Sequence, residues 1–515
     1  MERKKRLLIT VLSCILVFGL VACNAQVPST SDGTQEVGGN DAAVVGDNAE
    51  ETKADHHLTI LFTKGGFEQP PENDIIYQQL VKESGVSFTQ IAPPNANYKE
   101  KVTAIMASGD LPDMVRLPSL TDVYYYQEQG ALMPLDDFIN AEKTPNYWNI
   151  VEGKPAIDAV TIDGKRWGMP TWWDPHKCNT VIRGDWLEKL GLDVPVTLED
   201  YFNVAKAFQQ NNMGGGAKTY AFGGRQFNYK DCYAVFDMFM GAYGVMKDYW
   251  YTDSDGNLKP YNTTSAMRDC LEYIAMLNKE GLIDPEWVTV NSEGAQREAM
   301  GKGNYGITQF WWTIEPKLEV DMKKTDPNVN WIRIAPPVGP EGKSGLRGIS
   351  GMTQCFVVTK DCKDTEAVSK LVDYLHGDPG MYTSYIGVED EHWARKDDGT
   401  PYVLEEAANR DAKWIQWYSM FELETPLLQV DMYLLQSRLD SYKWPLIMND
   451  ADLLLTESEL KYSAQLHSLV AETYTNIING TVPIEAFDKM VDEWYKQGGT
   501  EWEKELNEVY KSRNK

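Results

Sequence analysis

The chain reads as an α/β protein large enough for two lobes. Its 515 residues exceed what one hydrophobic core organises. From His57 onward short apolar strands alternate with helical patterns, whereas the C-terminal part is helical throughout. The first strand is His57-Leu58-Thr59-Ile60-Leu61-Phe62, ending at Gly65-Gly66. A helix follows over Asp74 to Val81, then a strand over Val86 to Ile91. Tyr98 to Ala107 is helical and stops at Gly109; Asp113-Met114-Val115 is a short strand; Leu120 to Gln129 is a helix before Gly130. Such βα alternation predicts a mainly parallel sheet. Near the end, Glu457 to Asn479, Pro483 to Gln497 and Trp502 to Ser512 carry apolar residues at helical spacing. There is no internal repeat.

The first 23 residues have the form of a secretory signal. Arg3, Lys4, Lys5 and Arg6 precede an apolar run, Leu7 to Ala22, of 16 residues. That is short of the ~20 needed to span a bilayer, so a removed signal is expected. The small Ala22 before Cys23 resembles the lipobox of bacterial lipoproteins, which implies a lipid-bearing Cys23 as the mature N-terminus. Residues 24–55 are rich in Gly, Ser, Thr, Asn, Asp and Glu, with no aromatic residue. They bury too little apolar surface to offset ordering entropy and are expected to form a tether. A coil of about 33 residues spans on the order of 30 Å.

The formal net charge is −27, or −30 without residues 1–22. That field repels nucleic acid and anionic headgroups, so attachment to a membrane is expected through Cys23. After Cys23 come only Cys178, Cys232, Cys270, Cys355 and Cys362, with no CxxC pair, so neither a disulfide framework nor a zinc site is expected. Gly214-Gly215-Gly216 lacks the Lys-Ser/Thr of a phosphate loop. Asp253-Ser254-Asp255-Gly256-Asn257 imitates a calcium loop, but its Gly is misplaced and no Glu stands at the twelfth position, which favours a hairpin turn. No cofactor or metal is expected.

Several runs, in order, resemble the extracellular solute-binding proteins of family 1, the lipoprotein receptors of bacterial importers for complex carbohydrates driven by an ATP-binding cassette. They are Ala107-Ser108-Gly109-Asp110-Leu111-Pro112-Asp113, Gly130-Ala131-Leu132-Met133-Pro134-Leu135-Asp136-Asp137, and Asp163-Gly164-Lys165-Arg166-Trp167-Gly168-Met169-Pro170. Next are Ile182-Arg183-Gly184-Asp185-Trp186-Leu187-Glu188-Lys189-Leu190-Gly191-Leu192, Pro195-Val196-Thr197-Leu198-Glu199-Asp200, Gly301-Lys302-Gly303-Asn304-Tyr305-Gly306-Ile307, and Gly387-Val388-Glu389-Asp390-Glu391-His392-Trp393. The resemblance covers roughly residues 57–515. It implies a two-lobed, periplasmic-binding-protein-like fold of type II, maltose-binding-protein-like, with an interlobe ligand cleft and C-terminal helices. Carried onto this chain, it implies a signal peptide at 1–22, a lipidated tether at 23–56, one lobe of 57–172 and 347–390, and a second of 173–346 and 391–515. Crossings are expected just after Gly168-Met169-Pro170, near Gly345 to Met352, and near Tyr385 to Trp393. The implied activity is non-enzymatic: an extracellular, membrane-anchored monomer of a Gram-positive bacterium captures an oligosaccharide and delivers it to permease subunits served by a cytoplasmic ATPase.

Candidate ligand residues follow from chemistry and position. The chain has 16 Trp, including the pairs Trp172-Trp173 and Trp311-Trp312. Adjacent side chains on a strand point to opposite faces, so one of each pair should leave its own core. Sugars stack their C–H faces on such rings. Trp311-Trp312 follow an expected strand over Tyr305 to Thr308. Arg116 after the strand Asp113-Met114-Val115, Asp174, Arg225, Glu389, His392 and Trp393 are polar or aromatic candidates at the implied cleft. The guanidinium of Arg116 suits vicinal hydroxyls or a uronate. Two rivals remain: a surface glycoside hydrolase, which needs two carboxylates roughly 5–10 Å apart, and a receptor for a peptide or other solute.

Overall fold

A computed structural model describes residues 56–513, apart from 65–67, 72–73, 95–96, 173–174, 216–217, 228–235, 313–314, 350–351, 400, 412 and 422–431. The expected signal, Cys23 and the tether up to residue 55 lie outside the described residues.

Two sheets organise the chain. The first is built from β1 (His56–Leu61), β2 (Val86–Ile91), β3 (Met114–Leu117) and β4 (Met169–Trp172). The second contains β5 (Cys178–Arg183), β6 (Tyr220–Phe222), β7 (Tyr305–Trp311) and β8 (Trp331–Ile334), and β9 (Met352–Val358) returns to the first. Strand order is β2-β1-β3-β9-β4 in the first and β8-β5-β7-β6 in the second. β1 runs parallel to β2 and β3, while β9 is antiparallel to β3 and β4. β5 is antiparallel to β7 and β8, and β7 is parallel to β6.

Strand alternation gives the first sheet two buried faces. Leu58, Ile60 and Phe62 enter one core with Leu371 and Leu375 of the helix Thr365–His376. Leu61, Val115 and Leu117 enter the other with Val102 of Tyr98–Met106 and Val123 of Leu120–Glu128. The helix Ile75–Ser84 starts where the Asp74 carboxylate accepts the N–H groups of Ile76 and Tyr77, and ends at Gly85 with φ 71°. The second core joins Met267, Leu271 and Ile274 of Ser265–Lys279 to Leu466, Val470, Tyr474 and Ile477 of the long C-terminal helix Glu457–Ile478.

Two expectations shift. β4 continues to Trp172, where it pairs with Met352, so the chain leaves the first sheet later than Pro170. Residues 391–421, expected in the second lobe, instead place Ile415, Trp417, Tyr418, Met420 and Phe421 in the first core. Long-range bonds hold them there: Trp417 Nε1 donates to Gln90 at 2.7 Å, Tyr418 to Asp74 at 2.6 Å, and Lys64 Nζ to the Ser419 carbonyl at 3.3 Å. Asn179 of β5 donates to the Ser437 carbonyl at 2.9 Å. The chain thus still packs on the first sheet at Phe421, beyond the crossing expected near Tyr385 to Trp393, and Ser437 lies against β5 of the second.

Candidate functional site: the facing sheet edges

Strand directions define a site. The C-terminal ends of β1, β3 and β4 and the start of β9 share one edge of the first sheet. The ends of β6 and β7 and the start of β5 share one edge of the second. From Trp172 to Cys178 the backbone takes six steps, a reach of no more than about 20 Å, so the two edges lie close where the chain crosses. The crossing segments also pair: His176 bridges Gly348, and the Ile349 N–H donates to the Pro175 carbonyl at 3.3 Å. Gly348 is held in turn, its carbonyl accepting Tyr249 Oη at 2.6 Å. The neighbouring Arg347 makes a two-point pair with buried Asp237 at 3.0 and 3.2 Å and lies 4.6 Å from the Tyr249 ring centroid. Facing strand ends are where α/β folds take ligands.

On the first edge Arg116 is buried, donates to the Thr63 carbonyl and lies 5.9 Å from the Phe62 ring centroid. Tyr98 brackets this corner by donating to the Arg116 carbonyl at 2.7 Å; burial pushes its phenol up to about 12. On the second edge β7 runs through Trp311, three residues beyond the expected Thr308, because it stays paired with β5 as far as Cys178. Trp311 is partly buried with Lys177 Nζ 5.8 Å from its ring centroid. Trp312 is buried, donates its main-chain N–H to the Lys177 carbonyl at 2.9 Å and lies 5.0 Å from the Arg438 guanidinium. Arg225 is buried just past β6. Gly223 and Gly224 bring the chain there closely: a Cβ on Gly223 would sit 2.8 Å from the Tyr305 ring, and one on Gly224 2.9 Å from Trp287 Cβ.

The structure thus brings Arg116 to one edge and Arg225, Trp311 and Trp312 to the other. Trp172 ends β4 at the first edge; Trp173 and Asp174 lie outside the described residues. Glu389, His392 and Trp393 are elsewhere, beside the hairpin Trp393–Val403 on the first-sheet side. Glu389 is exposed and pairs with Arg395 at 3.2 Å. His392 is buried, accepting the Val388 N–H at 2.9 Å and donating to Asp411 at 2.9 Å. Trp393 donates to the Gly387 carbonyl at 2.8 Å and stacks on Tyr382 at 4.7 Å. Those bonds build the hairpin, so both side chains are committed to structure. Lys64, Lys177 and Arg438, buried cations near the two edges, were not singled out by sequence reasoning. Their strand-end positions were readable for Lys64 and Lys177, but burial of a long cation has no sequence signature.

Among the described residues no group of three or more His, Cys, Asp or Glu side chains is placed to hold a metal. Asp253 Oδ1 accepts the N–H groups of Asp255 and Asn257, both at 2.9 Å, in a hairpin between Trp250–Thr252 and Leu258–Pro260. No described helix is long and apolar enough to cross a membrane.

Known proteins share this architecture. Lipoprotein LipO of Bacillus subtilis is 24% identical over 470 residues, covering 86% of this chain and 90% of its own. The polygalacturonan/rhamnogalacturonan-binding protein YtcQ of the same organism is 24% identical over 462 residues, with the same coverage. The Streptococcus pneumoniae ABC-transporter substrate-binding protein FusA, solved with kestose, superposes with a TM-score of 0.69 at 20% identity, covering 89% of this chain and 99% of that one. The fold is accordingly the two-lobed, type II, maltose-binding-protein-like α/β fold. The profile of the bacterial extracellular solute-binding proteins matches residues 70–382, and the chain belongs to that family.

Proposed function

We propose that the protein is a lipid-anchored extracellular receptor that binds an oligosaccharide between its lobes and passes it to the permease of an ABC importer. The observation that carries this reading is the meeting of the two sheet edges, with an aromatic ring and buried guanidinium groups on them. The first lobe takes residues 56–172 and 352–421, and the second 178–347 and 437–513. Trp311 supplies an apolar face, and Arg116 and Arg225 supply hydroxyl-binding donors, with Trp172, Trp173 and Asp174 on the connecting segment. Relatives that bind fructooligosaccharide or polygalacturonan support an oligosaccharide over a monosaccharide. The protein acts by binding alone and catalyses no reaction. Cys23 carries the lipid that holds a monomer at the membrane after the signal is removed.

A thermal-shift screen of the purified full chain against plant-polysaccharide and fructan oligomers tests this. Ligand at a hundredfold excess over Kd stabilises the fold by about 2.7 kcal/mol. A shift with one oligomer class and no product on prolonged incubation is expected. Products would make the protein a hydrolase; a shift with peptides alone would make it a receptor for another solute.

A further inference from the structure

One residue of the second lobe, partly buried, packs against a core of the first. Residues 449–454 are fixed to the second lobe. Asn449 Oδ1 accepts the Trp250 N–H at 2.8 Å, the Asp450 N–H donates to the Trp250 carbonyl at 3.0 Å, and the Asp450 carboxylate accepts the Thr252 N–H at 2.7 Å. Ala451 and Leu454 then pack in the second core. Leu453 between them does not. Its side chain packs against the first-lobe core that contains Leu117, Val123 and Leu132. Its backbone is left-handed, φ 64°, a conformation a non-glycine residue rarely adopts and keeps only when surroundings impose it.

We infer that Leu453 is an interlobe latch: a positioning residue, in contact with no ligand, that holds the lobes in the arrangement described and thereby sets ligand affinity. This rests on the proposal that ligand binds between the lobes. A side chain anchored in one body and seated in the other stabilises only those arrangements in which the two surfaces meet. Its removal shifts the populations of the lobe arrangements, and binding senses that shift by linkage. The left-handed backbone also predicts different behaviour for two truncations. Leu453→Ala removes the contact and keeps the strain, whereas Leu453→Gly removes both.

The test uses the full chain with spin labels on cysteines introduced at the exposed Glu128 and Glu199, one per lobe. Cys178, Cys270, Cys355 and Cys362 are buried. Leu453→Ala and Leu453→Gly are expected to move or broaden the interlobe distance distribution without ligand. Kd for kestose or tri-galacturonate, whichever stabilises the unaltered chain, should change three- to tenfold. Leu453→Met, which restores apolar reach, should return both readouts toward the unaltered protein. The Gly variant should be the more stable of the two truncations. Unchanged distances in both truncations, or a Met variant that behaves like Ala, overturns the latch. The distance readout needs no ligand, so it decides the latch even where every oligosaccharide fails to bind, an outcome that sinks the oligosaccharide reading instead.

Discussion

His376 lies between the rings of Tyr147 and Phe421, 4.7 and 4.6 Å away, and donates from Nδ1 to the Val372 carbonyl at 2.6 Å. Burial pushes its pKa down to about 4 from 6.5, against the smaller opposite effect of that hydrogen bond. Below pH 6.5 the unfolded chain takes up a proton that the folded chain refuses until about pH 4. The stabilisation is therefore complete above pH 6.5 and is lost as pH falls through that window, by up to about 3 kcal/mol. His376→Gln should flatten this stretch of a stability-versus-pH curve from chemical denaturation; an unaltered slope would assign the acid sensitivity to other groups. Arg347 poses a second test. Truncation to Ala removes the two-point partner of the Asp237 carboxylate, 1% exposed, and should cost about 3–5 kcal/mol of unfolding free energy. The double variant Arg347→Met, Asp237→Leu should cost less than Arg347→Met alone, because the buried carboxylate leaves with its partner.

At the scale of elements, the long helix Glu457–Ile478 is capped twice. Thr456 Oγ1 accepts the Glu459 N–H at 3.1 Å, and Glu505 from the last helix, Thr500–Arg513, accepts those of Glu457 and Ser458 at 2.9 and 2.8 Å. Thr456→Ala should lower stability by about 1 kcal/mol in chemical denaturation, and an effect below about 0.3 kcal/mol would show that Glu505 suffices alone. This helix was legible from its apolar spacing, as were β1, β2 and the helix Leu120–Glu128, each within a few residues. Their signals are local: alternation, periodicity and a stop at Gly85 or Gly130. Residues 391–421 were not legible, because what returns them to the first core is Trp417 on Gln90 and Tyr418 on Asp74, contacts across more than 300 residues. The candidate site divides the same way. Arg116 was singled out from its place after a strand, Trp311 from the adjacent tryptophan pair and Arg225 from its Gly-Gly neighbours, and the structure puts all three near the two sheet edges. His392 and Trp393 lie away from those edges, and the burial and long-range bonding that tie them into the hairpin have no signature in residue type.

For the whole molecule, each lobe has cores of its own, with Leu453 packing across, and the crossings pair their backbones at His176 and Gly348. Such a linkage permits bending while keeping the two edges aligned, which suits a receptor whose lobes close on ligand. Under the proposed function, rings and guanidinium groups at the two edges would bind by contact area and hydrogen bonds, and affinity would depend on Trp311. Isothermal titration of the full chain and its Trp311→Ala variant with the oligosaccharide class that stabilises the fold is the most direct measurement. Saturable one-to-one binding by the unaltered chain is expected, with at least a tenfold weaker Kd in the variant, about 1.4 kcal/mol. Equal affinity in the two chains, or binding of peptides with no oligosaccharide bound, would contradict it.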